Sequence, residues 1–332
     1  MEKRLESPIT GGTMTLEWEE REMTFRKDSY KVMFPFYKCH DTGEQFTTTE
    51  SDGVWLAQLR NQYCQKYGIP YTDEIVGIRE KYGLSASMMS EILGFGANQW
   101  RKYEQEEIPS VSNGRMIRSI MNPKVMLDIL NNAKPSLGEK DYARISGKIE
   151  SFIRNSGQYK QDEYETSRIY SANRGIENGY APLSLERLKN IMLYVLNECG
   201  ETWYTKMNKI LFYIDFTSYR DLGMAISGLQ YRAIDYGPVP EHFARVYCEF
   251  SEIENLPRCA GEYEGLVLSS EAIPDMSLFS TAEIALMENI CEKLCDCTSR
   301  QLTELSHKES AWKDNVNGHR IIDFSYAYSL NQ

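Results

Sequence analysis

A chain of 332 residues with 42% hydrophobic and 26% charged content has the length of two or three domains and an ordinary globular composition. No run approaches the roughly 18 apolar residues of a membrane span. The charged start at residues 1–6 lacks the apolar core of a signal peptide, so the sequence points to the cytoplasm and away from a membrane partner. The net charge of −11 is uneven: residues 181–332 hold 13 basic and 22 acidic side chains, a net of −9, whereas residues 71–134 hold eight of each. The acidic half suits a basic partner or simple solubility, and the neutral middle does not repel nucleic acid as a whole. The eight cysteines are scattered, several in apolar helical text (Cys199, Cys248, Cys291), which predicts buried reduced thiols rather than disulfides.

In chain order, residues 13–21 and 30–38 alternate apolar with polar and predict two strands, with a polar turn at Lys27, Asp28 and Ser29. Such a sheet is too small to stand without a staple or a packing partner. The turns flanking it, around Ser7 to Gly12 and Cys39 to Glu44, have the spacing at which small zinc modules place paired C-x-x-C knuckles. The four ligand positions here read Ser7, Thr10, Cys39 and Thr42. One thiol with three hydroxyls is a poor zinc site, so neither a metal nor any other cofactor is expected.

Residues 50–66 predict a helix with Val54, Leu56, Leu59 and Tyr63 on one face. Five short helices follow over 72–132. Thr72 is the candidate cap of the first, and Gly83 ends it. Ser85 caps the second, Gly94 marks a turn, and the third is expected over 97–105. Two short helices joined by a Gly-containing turn, the second with a polar outer face, have the pattern of a helix-turn-helix. Leu93, Trp100 and Tyr103 would anchor the pair inward, leaving Asn98, Gln99, Arg101 and Lys102 to face a DNA groove. Asn and Gln can pair with adenine, and Arg and Lys with guanine or phosphate. Ser85 and Ser87, at the start of the preceding helix, are candidate phosphate contacts. One such unit reads only a few base pairs, so a homodimer on a palindromic operator is expected.

The two knuckle frames and the stretch from Leu93 to Glu104 resemble the zinc-finger and helix-turn-helix antitoxins of the MqsA type. The resemblance implies operator contacts at Asn98 and at Lys102, where the family has an Arg. The frames depart from the family at the ligands.

Residues 135–180 predict one helix at 138–154 and then a polar linker. From 181 the chain predicts an α+β domain. Helices are expected at 184–198, 204–220, 240–253 and 281–296, and strands near 228–234, 264–269 and 320–328. The domain boundaries expected are 1–50, 51–134, 135–180 and 181–332. The overall class is α+β, mainly α: a small N-terminal β-module, a five-helix domain and a mostly helical C-terminal domain.

Nothing in the C-terminal part frames an enzyme. His40, His242, His307 and His319 lack metal-ligand spacing, and Cys291, Cys295 and Cys297 lie on or just after one helix, where the lone C-x-C reads as a packing accident rather than a site. No nucleophile motif or phosphate loop is present. Asp215, on an apolar helix, reads as a buried, satisfied carboxylate. The helix with Lys209, Tyr213 and Asp215, then a strand, then Tyr236-Gly237-Pro238-Val239, then a helix with the pair Val246 and Tyr247, resembles the Panacea (SocA-like) domain. That resemblance implies protein binding by Lys209, Tyr213, Asp215 and residues 236–239, in an antitoxin that neutralises a cognate toxin protein and represses its own operon through the helix-turn-helix. A regulator whose C-terminal domain senses a ligand or another partner, and a proteolytic adaptor, fit the same features. The neighbouring gene separates the three.

Overall fold

The computed structural model describes residues 1–169, 174–260 and 263–331. The chain divides into two compact units, one of Met1–Leu59 with Ser167–Gln332 and the other of Arg60–Thr166.

The first unit opens with an antiparallel sheet in the order β1 (Arg4–Glu6), β2 (Thr13–Phe25), β3 (Asp28–Cys39), β4 (Gln45–Phe46). Phe25 pairs with Asp28, so the turn lies at Arg26 and Lys27, one residue tighter than the three-residue polar run suggests. Arg26 adopts φ 56° to close it. On β3, Tyr30, Val32, Phe34 and Phe36 are buried at alternate positions, the period-2 signature of a one-faced strand. Helix α1 (Thr49–Tyr67) meets that strand through Gln58. Its amide accepts from the Met33 N–H and donates to the Met33 carbonyl, both at 2.8 Å, completing backbone groups that a neighbouring strand would otherwise pair.

This sheet, expected as a domain of its own at 1–50, is packed into the unit containing the C-terminal residues. The Trp18 and Tyr328 rings lie 5.0 Å apart, the Met1 amino group lies 3.6 Å from Asp221, and Gly223 presses against Ala57, where an added Cβ would come within 2.6 Å. A sheet too small to bury its own face thus finds its packing partner in sequence-distant residues.

The second unit holds α2 (Thr72–Tyr82), α3 (Ala86–Ile92), α4 (Gln99–Glu104), α5 (Val111–Ser119), α6 (Pro123–Ala133) and much of α7 (Glu139–Ile169). Tyr71, not Thr72, is the first N-cap, and the Glu74 carboxylate accepts from its N–H at 2.8 Å. Gly83 ends α2 in the left-handed conformation. Trp100, Met89, Ile117, Met126 and Leu130 form the core, joined by Ile145 and Ile149 of α7. The first half of α7 therefore belongs to this unit. The helix continues to Ile169, replacing the linker expected from residue 155. Residues 170–173 of that expected linker lie outside the described residues.

The C-terminal part of the first unit contains α8 (Leu185–Cys199), β5 (Thr202–Trp203), α9 (Tyr204–Leu222), β6 (Tyr231–Ile234), β7 (Gly237–Pro240) and α10 (Phe243–Tyr247). It continues through β8 (Glu254–Ala260), β9 (Tyr263–Ser269), α11 (Thr281–Leu294), α12 (Ser299–Ser306), α13 (Ser310–Lys313) and β10 (Ile321–Ile322). Its two small sheets have the orders β10-β6-β7 and β5-β9-β8. The helix expected over 240–253 is only α10; residues 248–253 form turns, and the chain then pairs with β9 over 254–260. The strand expected over 320–328 is two residues long. Asp323 then caps a 3-10 turn at Phe324–Ser329 by accepting from the Ser325 N–H. Residues 237–240 form an edge strand. Its two prolines sit where missing N–H groups cost no ladder bond to a further strand.

Residues 207–219 of α9 are all buried, which makes α9 the axis of the unit. The fold is α+β and mainly α. Among the described residues, no helix is long and apolar enough to cross a membrane.

Candidate functional site

Three polar side chains of α9, at positions 209, 213 and 215, are buried to within 1%. Each fastens the helix to a different segment. Lys209 Nζ donates to the Pro238 carbonyl at 2.9 Å, holding the edge strand β7. Gly237 lies over this lysine with φ +100°; a Cβ there would meet Lys209 Cε at 2.7 Å and Ser306 Oγ at 2.6 Å. Burial pushes the Lys209 pKa down to about 7.

Tyr213 donates to Glu309 Oε1 at 3.3 Å. The other oxygen of this buried carboxylate accepts from the backbone N–H of Asn331 at 3.1 Å and from its amide at 2.9 Å. The pair therefore pins the chain end and the α12–α13 corner to the axis.

Asp215 accepts from the N–H groups of Ile226 and Ser227, each at 2.9 Å, from the Tyr231 hydroxyl at 2.6 Å, and from the Ser227 hydroxyl. Burial pushes its pKa up, and these four bonds pull against that rise. It is a satisfied carboxylate, and it shapes the turn that leads into β6.

The Lys209 fastening borders a cavity of about 760 Å³, within the range of small-ligand pockets. Tyr204 and Asn208 from the start of α9 form one wall, Val239 and Phe243 another, and Ser299, Arg300 and Thr303 of α12 a third. Tyr236, 73% exposed, stands at the cavity edge. The Ser299 hydroxyl oxygen is buried and has no hydrogen-bond partner.

Of the residues predicted to touch a partner, Tyr236 alone presents a large exposed surface. Lys209, Tyr213 and Asp215, with Gly237, Pro238 and Val239, are buried and do not form an exposed contact surface. Phe243, Ser299, Arg300 and Glu309 were missed. Their sequence signal is weak, because a short amphipathic helix with a Thr298 capping box looks like any surface helix.

In the second unit, α3 and α4 pack together, joined through Gly94 at φ +66°. Ser85 caps α3 by accepting from the Met88 N–H at 3.2 Å, and its hydroxyl lies 3.1 Å from that of Ser87. The buried Ser90 hydroxyl accepts from the Trp100 N–H at 3.0 Å, locking the start of α4 against α3. Helix α4 is six residues long rather than the nine expected, because Asn98 takes φ 63° just before it. Asn98, Arg101 and Lys102 are exposed together, and among the described residues neither cation forms an ion pair. Gln99 is partly buried and donates to Glu107 at 2.9 Å.

In the β-module the two knuckles have matching geometry. Ser7 N–H donates to the Gly12 carbonyl at 2.7 Å and Gly11 N–H to the Ser7 carbonyl at 2.9 Å. Cys39 N–H donates to the Glu44 carbonyl and Gly43 N–H to the Cys39 carbonyl, both at 2.9 Å. The Thr10 hydroxyl lies 3.7 Å from Cys39 Sγ. Hydrogen bonds from the backbone and side chain of Thr42, and then from Ser7 and Thr10, pull the Cys39 pKa down to about 6. One sulfur and three hydroxyls are not a zinc donor set, and the hydroxyls are held by protein groups. Thr10, for example, donates to Asp41 at 2.8 Å.

The cysteines depart from the all-thiol expectation, since Cys199 and Cys295 are bonded to each other.

One buried axial helix, two flanking three-stranded sheets and an aromatic-edged cavity are the architecture of the described residues from 174 onward. Residues 207–313, from α9 to α13, match the family described as "Antitoxin SocA-like, Panacea domain". The three fastenings, β6 and β7, and the residues lining the cavity from 208 onward all fall inside that match. No curated protein matches the chain.

Proposed function

We propose that this chain is an antitoxin that acts by binding rather than by catalysis. Its Panacea domain holds a toxin protein directly, and its second unit contains a helix-turn-helix that binds operator DNA as a homodimer and represses its own operon. The match of residues 207–313 to the Panacea domain carries the reading. The exposed Tyr236 beside a cavity supports a protein-anchoring surface, since aromatic side chains next to pockets concentrate binding energy. The net charge of −9 over residues 181–332 would steer a basic partner and repel an acidic one. For the second unit, support comes from the packed α3–α4 pair and the exposed Asn98, Arg101 and Lys102.

The test is co-expression of the full chain with the product of the adjacent gene. Growth arrest by that product alone, relieved by this chain, supports the proposal. A harmless neighbour would contradict it. The cavity supports a second reading, a transcriptional regulator whose C-terminal unit takes a small ligand, because its volume falls in the range of such sites.

A further inference from the structure

We infer that Cys199 and Cys295 form a thiol–disulfide exchange site that sets the tightness of the α11–α12 corner, with low-molecular-weight thiols and disulfides of the glutathione type as its reactants. The inference stands independently of the antitoxin reading.

The bond joins residues 96 apart, with Cα atoms 4.9 Å from each other, inside the span that a disulfide bridges. It ties the last residue of α8 to the residue that ends α11. Both cysteines are partly exposed, the kind of setting in which exchange with a small thiolate occurs. The third sulfur in the group, Cys291, lies within 4.8 Å of the other two and is buried. Burial pushes its pKa up to about 12, so Cys291 remains a thiol and does not compete as a nucleophile. Among the described residues the cluster has three sulfurs and no fourth His, Cys, Asp or Glu ligand, whereas a closed structural zinc site takes four. Exchange chemistry therefore fits the group better than metal binding.

The location gives the bond a consequence. Ser299 and Arg300, at the start of α12, are four and five residues beyond Cys295 and line the cavity. Lys206 Nζ donates to the Cys295 carbonyl, and Lys206 lies between Thr205 and Asn208, which line the opposite wall. The crosslink and the Lys206 bond thus act on the same corner, and reduction removes one of the two. In the reduction, an incoming thiolate attacks one sulfur and forms a mixed disulfide. The displaced cysteine thiolate takes a proton. A second thiol then attacks the mixed disulfide, releasing the oxidised small-molecule disulfide and leaving two protein thiols. Oxidation runs the same steps backward, with the small disulfide as oxidant.

The experiment uses the full chain equilibrated in glutathione buffers of differing ratio, acid-quenched, unfolded and alkylated, then read by mass. Eight cysteines should alkylate in the reduced limit and two fewer in the oxidised limit, with the missing pair mapped to Cys199 and Cys295. Cys291→Ser should keep the two-thiol difference, and Cys199→Ser should abolish it. Hydrogen exchange at residues 294–305 should quicken severalfold on reduction. Equal alkylation in all buffers, a crosslink mapped to another pair, or unchanged exchange at 294–305 would overturn the inference. So would one zinc per chain bound by the reduced thiols.

Discussion

Lys209 donates its ammonium to the carbonyl of Pro238 at 2.9 Å, directly beneath Gly237. Residues separated by 29 positions are thus one structural device: the lysine requires a glycine above it, and the strand carrying that glycine requires the lysine. Gly237→Ala should destabilise the protein by about 2–4 kcal/mol, combining left-handed strain with overpacking against Lys209 and Ser306. Urea denaturation measures this, and a change within about 0.5 kcal/mol of zero would show that the close packing is not required.

The same lysine gives a pH signature. Its folded pKa is near 7, well below the ordinary value of 10.5, so between these two pH values the unfolded chain binds more protons. Stability should therefore rise with pH across that window, by up to about 1.4 kcal/mol per pH unit. Below pH 7 both states are protonated and the slope vanishes. Lys209→Met should lack this component. Parallel stability curves for the two proteins from pH 7 to 10 would contradict it.

Asp215 is the acceptor for four donors. Asp215→Asn replaces one acceptor oxygen with a donor that faces other donors, and should cost about 2–4 kcal/mol. Tyr231→Phe removes one bond and should cost about 1–2 kcal/mol. Both are read from denaturant midpoints. Equal losses would mean that the carboxylate is not the centre of the network.

The β-module should hold its fold without metal. Purified protein is expected to carry far less than one zinc per chain, and a chelator should leave Tm unchanged. Stoichiometric zinc whose removal unfolds the sheet would refute this, and would require ligands other than Ser7, Thr10 and Thr42.

DNA binding should depend on the exposed face of α4. Asn98→Ala should cost about 1–3 kcal/mol at the operator. Lys102→Ala should reduce the salt slope by about one unit if it meets phosphate. Unchanged operator affinity in the double variant would show that another surface reads the DNA.

Much of this fold was legible where local rules dominate. The alternation in β3, the Gly83 and Ser85 caps, and the helices α8, α9 and α11 follow from short-range periodicity and capping. What escaped depends on distant partners. The docking of the β-module rests on Trp18 meeting Tyr328 and the Met1 amino group meeting Asp221. The continuation of α7 past residue 154 overrides a polar, glycine-bearing stretch. For the site, the sequence picked out Lys209, Tyr213, Asp215 and residues 236–239, but not the division of labour among them. Burial separates the fastening residues from the exposed Tyr236, and burial is set by the tertiary fold. Ser299 and Arg300 reach the cavity only because α12 folds back onto α9.

The central claim, that the Panacea domain holds a toxin at the Tyr236 surface while the α4 face serves DNA, is tested most directly by the affinity of the purified full chain for the purified product of the adjacent gene. The wild type and the Asn98→Ala, Lys102→Ala double variant should bind equally. Tyr236→Ala should weaken binding by about 2 kcal/mol or more, roughly thirtyfold, as loss of an aromatic anchor does. If Tyr236→Ala binds like wild type while the double variant loses affinity, the partner surface lies on the second unit and the account is wrong.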